Sequence, residues 1–132
     1  MQNIIIDKLT KLQQHKQDKL QMYLGQLIAK ETSLNQAILD KDIEVDNVRQ
    51  RSIAFKADSY ANNLKNKVIK RLDIKQVEFR LQKFVEEIER ILEEQQKLVA
   101  ELKELKQKIL ATKAELRVFI VKIEKYQFIK QC

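Results

Sequence analysis

From Ile74 to Tyr126, apolar residues recur at alternating spacings of three and four. Take Ile74 as position a of a heptad and Val77 as position d. The a series then reads Ile74, Leu81, Ile88, Gln95, Leu102, Ile109, Leu116 and Ile123, and the d series Val77, Phe84, Ile91, Leu98, Leu105, Thr112, Phe119 and Tyr126. Of these 16 positions only Gln95 and Thr112 are clearly polar. A chain that is 44% hydrophobic would place about half as many apolar residues there by chance. Positions b and g are nearly all Lys, Arg, Glu or Gln. A stripe sustained over this length predicts a long helix with one seam to bury.

A weaker stripe runs through the first half, through Leu20, Leu24, Leu27, Leu34, Ile38, Val45, Val48 and Phe55, with Glu31, Lys41 and Ser52 in its gaps. Upstream, Ile5, Leu9 and Leu12 lie on a slightly offset stripe. The offset reads as a stutter, a local unwinding of the supercoil. Folding the chain back on itself brings the two stripes together. Pairing positions whose numbers sum to 129 sets Leu20 beside Ile109, Leu27 beside Leu102, Val45 beside Phe84, Val48 beside Leu81 and Phe55 beside Ile74. Beyond the stutter, a sum of 128 sets Ile5 beside Ile123, Leu9 beside Phe119 and Leu12 beside Leu116. A shift of one heptad preserves the same pattern.

The expected fold class is therefore all-α: two long helices forming an antiparallel coiled-coil hairpin, a single domain over residues 1–132. Helix one is expected at about 3–60, the tip at about 61–66 and helix two at about 67–130. Asn62, Asn63 and Asn66 flank the turn, and Asn tolerates the left-handed conformation best after Gly. Each arm of about 60 residues would run ~90 Å. A break at Asp40-Lys41-Asp42 would instead give three helices, though no Gly or Pro supports it.

Composition narrows the function. One Gly and no Pro leave little to interrupt a helix, and 34% charged residues with 6% aromatics fit a long-helix protein. Cys132 is the only cysteine, which excludes an internal disulfide framework and fits a reducing cytoplasm. No apolar run approaches the ~20 residues of a membrane span, and no signal peptide is evident. The net charge is +7, but bases and acids are interleaved as on a solvated coiled-coil face. A nucleic-acid arm would cluster its bases and often add stacking aromatics, so no nucleic acid is expected. His15 is the only histidine and has no cysteine near it, so no metal is expected. No Ser-His-Asp arrangement, Gly-rich phosphate loop or CxxC motif occurs, and the cluster Glu86, Glu87, Glu89, Glu93, Glu94 is most simply a charged helix face. The chain reads as a non-enzyme without a cofactor.

Four local features carry the remaining information. Gln95 sits in the seam, either as a tolerated polar residue or as a register pin. Val85, Leu92, Val99 and Ile120 make the e positions apolar, which widens the stripe for packing within the hairpin or for another protein. Val118, Phe119, Ile120 and Val121 are consecutive and cannot all face one seam. In the hairpin they lie beside Ile4, Ile5 and Ile6, and an apolar surface at the open end is a candidate docking site. At the tip, Lys65, Lys67, Lys70 and Arg71 form a basic cluster that would meet an acidic partner.

A short, basic chain of two long helices with apolar ends and no Pro resembles the central-stalk proteins of bacterial type III secretion, the YscO/FliJ-like family. The resemblance covers the whole chain in length and architecture. It rests on the stripes from Ile74 to Tyr126 and from Leu20 to Phe55 rather than on a motif. Family members look like the coiled-coil part of the rotary ATP synthase gamma subunit. The resemblance implies a cytoplasmic, monomeric stalk whose joined termini sit in or near a hexameric export ATPase. The middle of the hairpin would reach toward an export gate protein, and secretion chaperones are further partners. Contact with the membrane would run only through those partners. Ile4, Ile5, Ile6, Val118, Ile120 and Val121 would then lie at the ATPase end, and Lys65, Lys67, Lys70 and Arg71 at the gate end. The competing expectation is a homo-oligomeric structural coiled coil or a helical chaperone adaptor.

Overall fold

The computed structural model describes the backbone of residues 2–66 and 71–131 and the side chains of residues 3–61 and 74–131. It contains two helices, α1 (Gln2–Asn66) and α2 (Arg71–Gln131), packed against each other as an all-α hairpin. Both follow from a chain with one Gly, no Pro and a seam of three-and-four spacing. α1 passes through Asp40-Lys41-Asp42 without a break, so the three-helix alternative is not adopted. It also continues through Asn66, so residues 61–66, expected to form the tip, belong to the helix instead.

Packing divides the chain into two compact units. The central unit is Asn35–Ala100 and the terminal unit is Met1–Leu34 with Glu101–Cys132. In the central unit Val45, Val48 and Ile91 form the buried core, with Phe84 and Ile88 packed against it. Phe55 and Phe84 extend this core with ring centroids 5.9 Å apart, tilted at 54°. The Arg80 guanidinium caps the Phe55 ring at 5.3 Å.

The polar contacts of the central unit fix its register. Gln95 Nε2 donates to the Ile38 carbonyl at 3.1 Å and to Asp42 Oδ1 at 2.7 Å. Lys41 Nζ donates to Glu94 Oε2 at 2.7 Å, and Arg90 braces Glu94 at 3.0 Å. Arg51 pairs with Glu87 at 3.2 Å. The expected pairing would have set Gln95 beside Leu34 and Lys41 beside Ile88. The observed partners lie about one heptad further along α2. The reason is electrostatic. The expected register would bury two polar side chains in two separate apolar layers. The observed one gathers Lys41, Asp42, Glu94 and Gln95 into a single layer where each has a partner.

The terminal unit departs from expectation in phase as well. Lys130 bridges to Asp7 across the hairpin, where the predicted register would have set Asp7 opposite Val121. Leu27, Leu34, Leu105, Ile109 and Ile123 are buried, and so are Gln13 and Thr112. The predicted stutter is absent. Leu12 is 47% exposed and Ile5 59%, whereas Gln13 is 8% exposed and Thr10 and Ile6 are partly buried. α1 therefore keeps the strict heptad phase of Leu20, Leu24 and Leu27 to its N-terminal end. The facing positions Leu116, Phe119, Ile123 and Tyr126 hold the same phase, and leaving it would uncouple a continuous seam. The cost falls on polar groups. Thr10 and Thr112 satisfy their hydroxyls on the carbonyls of Ile6 and Lys108, both at 2.8 Å. The Gln13 Oε1 is buried without a hydrogen-bond partner.

An unsatisfied buried oxygen costs about 1–3 kcal/mol. Gln13→Leu is therefore expected to raise the thermal midpoint by several degrees, followed by circular dichroism. A lowered midpoint would contradict the placement of Gln13 in the seam.

The hydrogen bond to Glu94 raises the Lys41 pKa above its ordinary value, with desolvation opposing it. The same bond lowers the Glu94 carboxyl below its ordinary 4.5. A depressed carboxyl stabilises the fold above its unfolded value, and that contribution is lost as pH falls through the folded one. A raised ammonium acts at the other limit and loses its contribution as pH rises past 10.5 and through the folded value. Glu94→Gln should thus lower the urea midpoint at neutral pH, and the gap to the wild type should close in acid well below 4.5. A gap that persists unchanged in acid would show that the ion pair is not its source.

Candidate docking surface

Helix geometry places each residue of the terminal unit around the seam. At 3.6 residues per turn, the seam series Ile6, Thr10, Gln13, Gln17 and Leu20, in which Gln13 is buried and the others are half-buried, leaves two flanks and a back on α1. The same holds for α2 around Leu116, Phe119, Ile123 and Tyr126. In an antiparallel pair, like flanks of the two helices adjoin. One flank carries Ile4, Asp7, Lys11 and Asp18 on α1 with Arg117, Ile120 and Glu124 on α2, and the Asp7–Lys130 bridge lies on this side. The opposite flank carries Ile5, Leu9, Leu12, Lys16 and Lys19 with Val118, Lys122, Lys125 and Ile129.

The apolar end read from the sequence is therefore not one patch. Ile4 and Ile120 share the first flank, and Ile5 and Val118 share the second. Val121 lies on the back of α2. Ile6 is partly buried, in seam phase, and its carbonyl accepts the Thr10 hydroxyl. Apart from Ile6, all of these side chains are exposed. Lys65, Lys67, Lys70 and Arg71, the candidate tip cluster, lie outside the residues whose side chains are described.

Sequence reading missed Leu9, Leu12 and Ile129 as surface residues. Leu9 and Leu12 lie with Ile5 on the offset apolar stripe, which points to the seam only if the helix carries a stutter. Counting back by seven from Leu20 reaches Gln13 and Ile6, a signal already present in the chain. Together these nine residues of the second flank make five aliphatic and four lysine side chains and no carboxylate. Lys122 also lies over the Phe119 ring at 5.6 Å. By composition the terminal unit has 13 basic and 7 acidic residues, net +6, against 13 and 12, net +1, for the central unit.

The central unit carries apolar surface of its own. Val85, Leu92 and Val99 are exposed on α2 at heptad spacing. Elsewhere in this unit, an open groove of about 570 Å³ is lined by Ile53, Lys56, Ala57, Ser59, Tyr60, Val77 and Leu81. Its polar lining is limited to Lys56, Ser59 and Tyr60. Among the described residues no three His, Cys, Asp or Glu side chains come together in a way that could hold a metal, and no helix is long and apolar enough to cross a membrane.

No family model, curated protein or solved structure matches this chain.

The flank assignment is directly measurable. Single cysteines at positions 9, 12 and 13 in a Cys132→Ser background should react with a maleimide rapidly at 9 and 12 and slowly at 13. Protection of position 12 with rapid labelling at 13 would restore the stutter.

Proposed function

We propose that this chain is a non-enzymatic cytoplasmic stalk of a bacterial type III secretion system. In this reading it links a hexameric export ATPase to an export gate protein, regulates the ATPase, and also engages secretion chaperones. The observation that supports it best is the concentration of exposed aliphatic side chains in the terminal unit of an all-helical hairpin: Ile4 and Ile5 on α1, Val118, Ile120 and Val121 on α2. In this reading the hairpin acts through its surfaces. A stiff seam lets contact at one surface bias the conformation of a bound ring. The resemblance of length and heptad pattern to the YscO/FliJ-like family supplies the class of partner, and Lys65, Lys67, Lys70 and Arg71 remain the proposed gate contact.

A second reading is favoured by one specific observation. Val85, Leu92 and Val99 form an exposed apolar stripe in the central unit, which a homo-oligomeric coiled coil or a chaperone adaptor would cover.

Both are tested with the purified chain. Light scattering should give a monomer near 15.7 kDa for a stalk, and a stable dimer or tetramer for the structural coiled coil. Given a monomer, addition to the cognate export ATPase should stimulate hydrolysis, and the triple change Val118→Ser, Ile120→Ser, Val121→Ser should abolish most of that stimulation. Stimulation and secretion that survive the triple change intact would remove the stalk reading.

A further inference from the structure

Across the whole terminal unit both flanks mix acids and bases, with Glu101, Glu104 and Glu115 on the flank of Lys16 and Lys122, but in the stretches nearest the chain ends the two flanks differ in charge. On the flank of Ile4 and Ile120, the acids Asp7, Asp18 and Glu124 balance the bases Lys11 and Arg117. On the opposite flank, from Lys19 to the N-terminal end of α1 and from Val118 to the end of α2, there is no acid at all. The bases there are Lys16, Lys19, Lys122 and Lys125, and among the described residues none of them is in an ion pair. Helical register sets Lys16 near Lys122, a like-charge juxtaposition that an internal role would not favour. Interleaved with them are Ile5, Leu9, Leu12, Val118 and Ile129, each more than a third exposed. The back of both helices continues the pattern with Lys8 on α1 and Val121 and Phe128 on α2.

We infer that this flank is a membrane-contact surface that takes an anionic lipid bilayer, lying in the interface and not spanning it. Aliphatic heads alternating with lysines on a two-helix face match the depth profile of the headgroup region. The apolar side chains enter the acyl boundary, and the lysines extend along it to reach lipid phosphates. The aliphatic side chains protrude between lysines instead of lining a groove, which suits a fluid surface better than a shaped protein partner. The inference is independent of the stalk reading, which brings the chain to the membrane only through other proteins.

The test uses the full chain with large vesicles of phosphatidylcholine alone, or with about a third of the lipid as phosphatidylglycerol, at ~0.1 M salt. Sedimentation should show binding to the anionic vesicles only, and binding should fall steeply as salt is raised. The quadruple change Lys16→Gln, Lys19→Gln, Lys122→Gln, Lys125→Gln should weaken binding on the order of a hundredfold or more. Leu9→Ser with Ile129→Ser should weaken it with charge unchanged. The pair Lys16→Gln, Lys122→Gln should cost much more than Lys11→Gln, Arg117→Gln, which removes the same charge from the other flank. Circular dichroism identifies variants that keep the wild-type helicity, and only these are compared. Equal loss from both pairs would mean diffuse attraction to net charge and would overturn the assignment. Equal binding to neutral vesicles would overturn it too. So would failure to bind either vesicle with retention on an acidic polypeptide such as polyglutamate, which would mark the flank as a protein contact.

Discussion

Within each unit the seam between the two helices keeps one heptad phase, and most of the local structure follows from holding it. α2 offers apolar residues at nearly every seam position along its 61 residues. A partner helix gains most by staying in step with it throughout. α1 does so, although its own N-terminal stretch would bury more apolar surface out of step. Burying Leu9 and Leu12 locally would be favourable by about 1–2 kcal/mol each. Changing phase within a helix that has no Pro and a single Gly would strain backbone hydrogen bonds and open the seam on both sides of the change. Continuity wins, and Gln13 is buried while Leu9 and Leu12 face outward.

Phase leaves the register open by whole heptads, and polar groups close that choice. In the central unit Lys41 and Gln95 are the two seam residues that cannot enter an apolar layer unpartnered. Placing them together lets Asp42, Glu94 and the Ile38 carbonyl satisfy both. Each contact is modest on an exposed flank, because water and salt screen it. Their weight comes from the alternative, in which two polar groups would be desolvated with nothing to bond. Such a layer selects among alignments more than it adds stability.

The same constraint shapes the surface. Leu9 and Leu12, displaced from the seam, reach the flank that also carries Lys16, Lys19, Lys122 and Lys125, while Asp7, Asp18 and Glu124 lie on the other. Near the chain ends, mixed charge along the sequence becomes a basic and apolar flank in space.

The sequence by itself determined the class of fold. Fourteen apolar residues at the 16 seam positions of α2, with one Gly and no Pro in the chain, leave a helical hairpin as the way to bury one long stripe. Hydrophobic period is a local property, and it was legible. The exposed Ile4, Ile5, Val118, Ile120 and Val121 were legible too, because consecutive apolar residues exceed what one seam can take. Tertiary structure decided the rest. The register, the absence of a stutter and the division of the apolar end between two flanks all depend on which residues of α2 face α1. A seven-residue shift leaves every local propensity unchanged, so contacts across the helices choose it, foremost Lys41 with Glu94 and Gln95 with Asp42 and the Ile38 carbonyl. Leu9 and Leu12 are apolar wherever they lie, and only the phase imposed by Leu116, Phe119 and Ile123 turns them outward.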